Sequence, residues 1–137
     1  MRYDTLLKRH SENPLINPLD FPYGNADAVF NCGQTMMGDK TILLLSVLLR
    51  DENGARIHVA ESADGVHFDI HEEPLMHGQM LEDPALRQLD SHPIDTRVTK
   101  IDDTYYIVRP GRNAMDFLFK TQRSEERRVG KECATGC

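Results

Sequence analysis

Pro93-Ile94-Asp95-Thr96-Arg97-Val98-Thr99-Lys100-Ile101 is followed by Asp102-Asp103 and then by Thr104-Tyr105-Tyr106-Ile107-Val108-Arg109-Pro110-Gly111. Two runs rich in β-branched and aromatic residues flank an acidic two-residue turn, the pattern of a β-hairpin. Asp95 and Arg97 stand two apart, and side chains two apart on a strand share a face. A carboxylate and a guanidinium would then point into one solvent-filled cavity, placing acid chemistry beside an anion site. Arg109, near the end of the second run, is a further cation available to such a site. Of Tyr105 and Tyr106, alternation sends one to the core.

Upstream, the same grammar repeats. Ala26 to Gln34 reads as a strand, Gly38-Asp39 as a turn, and Thr41 to Arg50 as a second strand whose near-continuous apolar character requires cover on both faces. Asp51-Glu52-Asn53-Gly54 ends in the Asn-Gly pair favoured in hairpins. Ala55 to Ser62 alternates, with Ile57 and Val59 on one face and Arg56 and His58 on the other. After Ser62-Ala63-Asp64-Gly65, a fourth strand is expected through Val66, Phe68 and Ile70. The result is an up-and-down meander without helices. A long connection, His71 to His92, then leads to the hairpin, and Asp116 to Thr121 reads as the hairpin's third strand.

The chain is therefore all-β: one complete four-stranded sheet and most of a second, restarting after roughly 65 residues, as propeller blades do. A β-sandwich is the alternative, since its strands are also short and turn-rich. Polar groups on the first strand of each unit (Asn31 and Asp95), with the most apolar strand next in the first, favour the propeller.

Ahead of the sheets, Asn13-Pro14-Leu15-Ile16-Asn17-Pro18-Leu19-Asp20-Phe21-Pro22-Tyr23 is proline-rich and extended, and carries Ile16, Phe21 and Tyr23 to bury. Tyr3 to His10 reads as a short helix that could serve homo-oligomeric assembly. At the other end, Arg123-Ser124-Glu125-Glu126-Arg127-Arg128-Val129-Gly130-Lys131-Glu132-Cys133 has no helical or strand period and resembles the translated read-through of a sequencing-library adapter. The expected organisation is a lead-in over 1–25, a partial propeller over 26–122 and a non-native tail over 123–137, the natural sequence diverging near Gln122.

Composition bounds the function. A net charge of −6 over 137 residues argues against nucleic acid or an anionic membrane as partner. The longest apolar run, Ile42 to Leu49, is too short to span a bilayer, and Met1 to Arg9 has no signal-peptide core, so a cytoplasmic protein is expected. Cys133 and Cys137 fall in the tail, leaving Cys32 alone, which supports neither a disulfide framework nor a zinc cluster. His58, His67 and His71 read as packed or solvated and not as metal ligands, and Glu82-Asp83 as solvated loop acids.

Taken together, Asn13-Pro14-Leu15-Ile16, Asp20-Phe21-Pro22-Tyr23, Ala28-Val29-Phe30-Asn31, Ser62-Ala63-Asp64-Gly65-Val66-His67-Phe68 and Asp95-Thr96-Arg97-Val98-Thr99-Lys100-Ile101 resemble glycoside hydrolase family 130, the β-mannoside phosphorylases and related β-mannosidases. The likeness runs in order from about residue 12 to about residue 110. It implies a fragment of a five-bladed β-propeller with a polar central cavity. It also implies cleavage of β-mannosides by inorganic phosphate, releasing α-mannose 1-phosphate with inversion. The family's general acid falls on Asp95, acting through the 3-hydroxyl of the mannosyl unit, and its sugar-facing asparagine falls on Asn31.

Inverting displacement by phosphate needs no protein base but does need cations to hold the dianion. Arg97 is expected to contact the ligand, and Arg50 and Arg109 are the phosphate-binding candidates, with inorganic phosphate as co-substrate and no cofactor. Two departures stand out. Many family members have an arginine where this chain has Ser46, and Glu-Asp-Pro-Arg where it has Ile94-Asp95-Thr96-Arg97. Hydrolysis within the same family and a non-catalytic sugar-binding propeller are the alternative functions, and the chain by itself is expected to be inactive.

Overall fold

The computed structural model describes residues 8–110, apart from 23, 51, 53, 79, 82 and 91, together with the strand 116–121. A four-stranded antiparallel sheet is built from β1 (Ala26–Met37), β2 (Lys40–Leu49), β3 (Ala55–Ser62) and β4 (Asp69–Ile70), paired in sequence order. A second sheet has three antiparallel strands in sequence order, β5 (Arg97–Ile101), β6 (Thr104–Pro110) and β7 (Asp116–Thr121). These are the expected meander and hairpin, and the hairpin turns at Asp102-Asp103, with Asp102 at φ 52°. The helix expected over Tyr3–His10 lies mostly outside the described residues, and Lys8 to His10 are not helical. The tail 123–137 and Glu82 also lie outside them.

β2 is covered on both faces, as its composition requires. Ile42 and Leu44 join Ile57, Met76, Leu81 and Ile107 in a core between the two sheets. Leu45, Val47 and Leu49, one residue out of phase, join Phe21, Ala26 and Ala60 in a second core under the proline-rich lead-in. That lead-in ends in a 3₁₀ turn, Pro18–Asp20, where the Asp20 carboxylate accepts the Asn17 N–H at 2.6 Å. Phe21 is thereby driven into the core at 3% exposure. Tyr105 is the tyrosine that alternation buries, and its hydroxyl donates to the Met36 carbonyl at 3.1 Å, tying β6 to the end of β1.

Where the pattern overreached, side chains had claimed the backbone. Asp64 Oδ1 accepts the N–H groups of Val66 and His67 at 2.8 Å each, and Ser62 Oγ accepts that of Gly65 at 2.9 Å. Donors so engaged are diverted from a sheet ladder, and β4 shrinks to Asp69–Ile70. In the long connection, Met76 pairs with Ile57 as an isolated bridge, and Pro84–Arg87 forms a single helical turn, α1. Asp83 caps it by accepting the Ala85 N–H at 2.8 Å, with proline in the first helical position. Asp90 is fully buried, accepts the Met80 N–H at 3.1 Å and forms a buried ion pair with Arg109.

The sheets approach closely where β1 passes Thr96. A Cβ on Gly33 would lie 2.8 Å from Thr96 Oγ1 and 2.9 Å from its carbonyl oxygen. One of those atoms is backbone, so the sheets themselves must separate to admit it. Gly33→Ala is expected to destabilise the protein by about 1–3 kcal/mol, the usual cost of overpacking. An unchanged urea midpoint would refute this.

His58 supplies a pH test. It is buried edge-on to Phe21, with ring centroids 4.7 Å apart, and its Nδ1 donates to the His71 carbonyl at 3.1 Å. Nε2 is buried without a hydrogen-bonding partner among the described residues. Burial lowers its pKa from 6.5 in spite of that bond. The unfolded chain therefore binds this proton more readily, and stability must fall as pH drops below about 6.5. In His58→Asn, which keeps a side-chain N–H donor, the difference from wild type in unfolding free energy should shrink on acidification from pH 7 to 5. Parallel pH profiles would contradict this.

Candidate active site

One extra residue in β1 makes the site. Phe30 pairs with Ser46 and Gly33 with Leu44, so three steps along β1 span two along β2. Such a bulge kinks its strand and re-aims side chains. Within it Asn31 takes φ 38°, and Asp95, immediately before β5, takes φ 54°. Left-handed backbone at residues other than glycine costs about 1–3 kcal/mol each and persists where the surroundings over-determine it. Asparagine and aspartate bear this geometry better than other side chains do.

The two strained residues meet across the gap between the sheets. Asn31 Nδ2 donates to Asp95 Oδ1 at 2.6 Å, and Asp95 Oδ2 has no partner among the described residues. Behind them Ser46, fully buried, donates from Oγ to the Asn31 carbonyl at 3.1 Å and accepts the Asp95 N–H at 3.0 Å. Thr96, also fully buried, donates to the Leu44 carbonyl at 3.3 Å. Asn31 is exposed and Asp95 partly so. The arrangement is a carboxyl group with one oxygen held by an amide and the other open, a geometry that a general acid could use.

The arginines behave differently from the expectation. Asp95 does not share a strand face with Arg97, because it precedes β5 with left-handed backbone. The Arg97 guanidinium, exposed, folds back to the carbonyls of Thr96 at 2.9 Å and Asp95 at 3.4 Å. Arg50 is paired with Asp27 at 2.9 Å, beside the start of β1 and away from the bulge. Arg109 is buried against Asp90, so among the described residues its charge answers an internal carboxylate and does not meet the Asn31–Asp95 pair. Ser46 and Asp90 are the residues that sequence reading did not assign. The serine signals itself as a hydroxyl inside the apolar run from Ile42 to Leu49, at the position where many members of the resembled family have arginine.

Elsewhere, a cleft of about 460 Å³ lies between the lead-in and β4, lined by Glu12, Ile16, Asp20, His67 and Phe68 among others, and shares no residue with the Asn31–Asp95 pair. At its rim the Asp64 carboxylate, 2.7 Å from His67 Nδ1, holds the His67 pKa up, with Glu12 adding to the effect. The same hydrogen bond from His67 holds Asp64 well below the usual carboxylate range. Among the described residues there is no group of three or more His, Cys, Asp or Glu placed to hold a metal ion, and no helix long and apolar enough to cross a membrane.

No family model matches the chain. A β-1,2-mannobiose phosphorylase of Thermoanaerobacter sp. (strain X514) is 27% identical over 124 residues, covering 82% of this chain and 39% of the relative. Among solved structures, a β-1,2-mannobiose phosphorylase of Listeria innocua in complex with β-1,2-mannobiose superposes with a TM-score of 0.65 at 21% identity, covering 86% of this chain and 48% of its own. A structure from Bacteroides ovatus ATCC 8483, described as that of a proposed glycoside hydrolase, gives 0.69 at 20% identity, with 85% and 37% covered. A third is a structure from the family-130 mannoside phosphorylases, a family that contains hydrolases targeting β-1,2 mannosidic linkages in Candida mannan. It gives 0.65 at 17% identity, with 86% and 38% covered. The chain thus spans about two fifths of the curated relative's length. Its sheets are part of a β-propeller, and the resemblance to glycoside hydrolase family 130 holds in both sequence and fold.

Proposed function

We propose that the complete protein to which this chain contributes cleaves β-mannosides with inorganic phosphate, releasing α-mannose 1-phosphate with inversion, and that Asp95 is its general acid. The observation that carries this reading is the 2.6 Å hydrogen bond from Asn31 to Asp95 Oδ1, made between two left-handed residues, one on the first strand of one sheet and the other just before the first strand of the next. The phosphorylase activity named for the Thermoanaerobacter and Listeria relatives supports it.

With Oδ1 held by the amide, the proton resides on Oδ2. It passes to the 3-hydroxyl of the mannosyl unit, and that hydroxyl's own proton goes to the departing glycosidic oxygen. Phosphate attacks the anomeric carbon from the opposite face as the glycosidic bond breaks, so no protein base is needed. Asn31, having given a side-chain N–H to Asp95, keeps its side-chain Oδ1 for a sugar hydroxyl. The chain alone lacks a complete phosphate site in this reading and is inactive.

Phosphate-independent hydrolysis is the second reading. It is favoured by the engagement of Arg50 and Arg109 with carboxylates, which leaves Arg97 as the remaining named cation for a phosphate dianion.

The test is Asp95→Asn in the complete protein, assayed on β-1,2-mannobiose with and without phosphate. Turnover should fall by about 10²–10⁴-fold, the usual worth of a positioned general acid. Undiminished turnover would remove Asp95 from the chemistry. Wild-type release of free mannose without phosphate would establish the second reading in place of the first.

A further inference from the structure

We propose that Ser46 is a positioning residue for Asp95, its single hydroxyl fixing the acid and the asparagine that orients it. The inference rests on the reading of Asp95 as general acid.

The polarity of this hydroxyl is forced. The Asn31 carbonyl can only accept and the Asp95 amide can only donate, so Ser46 Oγ–H points to the first and its lone pair to the second. Both partners are backbone groups of residues in left-handed conformation, at φ 38° and φ 54°. Ser46 therefore acts on φ/ψ at two strained positions, and the 2.6 Å contact between the Asn31 and Asp95 side chains follows from where those backbones are held.

The location is consistent with such a role. Along β2, Ser46 stands in phase with Ile42 and Leu44, which face the second sheet, and it is the only hydroxyl on that buried face. A serine at 0% exposure whose hydroxyl spans two sheets does not serve solubility. An apolar residue would fill the same space but leave the part-buried Asn31 carbonyl and Asp95 N–H without this partner. Released, Asp95 would turn its carboxylate relative to Asn31, and the choice of which oxygen carries the mobile proton would be lost. A displacement of about 1 Å at a reacting group is enough to lower turnover by about 100-fold.

Ser46→Thr and Ser46→Val isolate the effect, because they share a shape and differ in the hydroxyl. In the complete protein, Ser46→Val should lower kcat on β-1,2-mannobiose by about 10- to 100-fold with little change in KM, and Ser46→Thr should restore most of it. In the same complete protein, hydrogen exchange should show the Asp95 amide exchanging at least about 10-fold faster in Ser46→Val than in Ser46→Thr, with the Ile57 and Ile107 amides unaltered. Equal kcat and equal Asp95 exchange in the two variants would overturn the proposal. Should the added methyl prevent folding, Ser46→Ala against wild type gives the same comparison without added bulk. The Asp95→Asn control separates the two ideas. If Asp95→Asn keeps full turnover, the acid assignment falls. If it loses turnover while Ser46→Val and Ser46→Ala do not, only the positioning role falls.

Discussion

The contact on which the rest depends is the approach of β1 to Thr96, where Gly33 leaves no room for a side chain and the two sheets come within van der Waals distance. Sheets packed through large side chains sit about 10 Å apart. Here Gly33 brings no side chain to the gap, and polar groups bridge it directly. The bulge at Asn31 lies one residue before Cys32 and two before Gly33, so the extra residue and the missing side chain act together. One bends β1, and the other lets the bent strand reach β5. Without the close approach, Ser46 could not span the two backbones, and the Asn31–Asp95 bond would lose its geometry.

Much of this was legible from the residues, for identifiable physical reasons. Strand order, the two-residue turns and the double burial of β2 follow from alternation and turn chemistry, which are local. Asp95 and Asn31 stood out as polar residues on the first strands of successive units, and the structure does bring them together. Their proximity needed the repeat to be recognised, because 64 residues separate them. What was not legible is what depends on backbone conformation within a strand. The pattern treats Asp95 as the start of a strand, where it would share a face with Arg97. Its left-handed φ breaks that phase, and the guanidinium turns to its own main chain.

The same limit explains β4, α1 and Arg109. Val66, Phe68 and Ile70 alternate as a strand should, yet Asp64 and Ser62 capture the amides first. The helical turn after Asp83 carries a legible signal, an aspartate cap followed by proline, within a stretch otherwise free of pattern. Arg109 gives no hint in sequence that its partner is Asp90, nineteen residues earlier in a connection without strand or helix period. A guanidinium taken fully out of water requires a counter-charge, and the long link supplies one. By the same bond the link is anchored to the second sheet, its Met76 and Leu81 filling the core between the sheets.

These placements divide the cations named for phosphate into two kinds. Arg109 is committed by burial: moving it to a cavity would strand Asp90 as an uncompensated internal charge, which costs several kcal/mol. Arg50 is committed only by an exposed pair with Asp27, and surface pairs of that kind are worth about 0–1 kcal/mol. Distance, and not energy, separates Arg50 from Asp95, since Arg50 follows the end of β2, opposite the start of β1, while the acid meets the bulge at Asn31. Arg97 has the reverse character. It is adjacent to the acid, and what holds it is two carbonyl contacts from an exposed side chain, which a dianion would outbid because it answers the guanidinium's charge and can accept two parallel N–H bonds, where a carbonyl offers only a dipole. If phosphate enters beside Asp95, Arg97 is the one of the three named arginines placed to turn toward it.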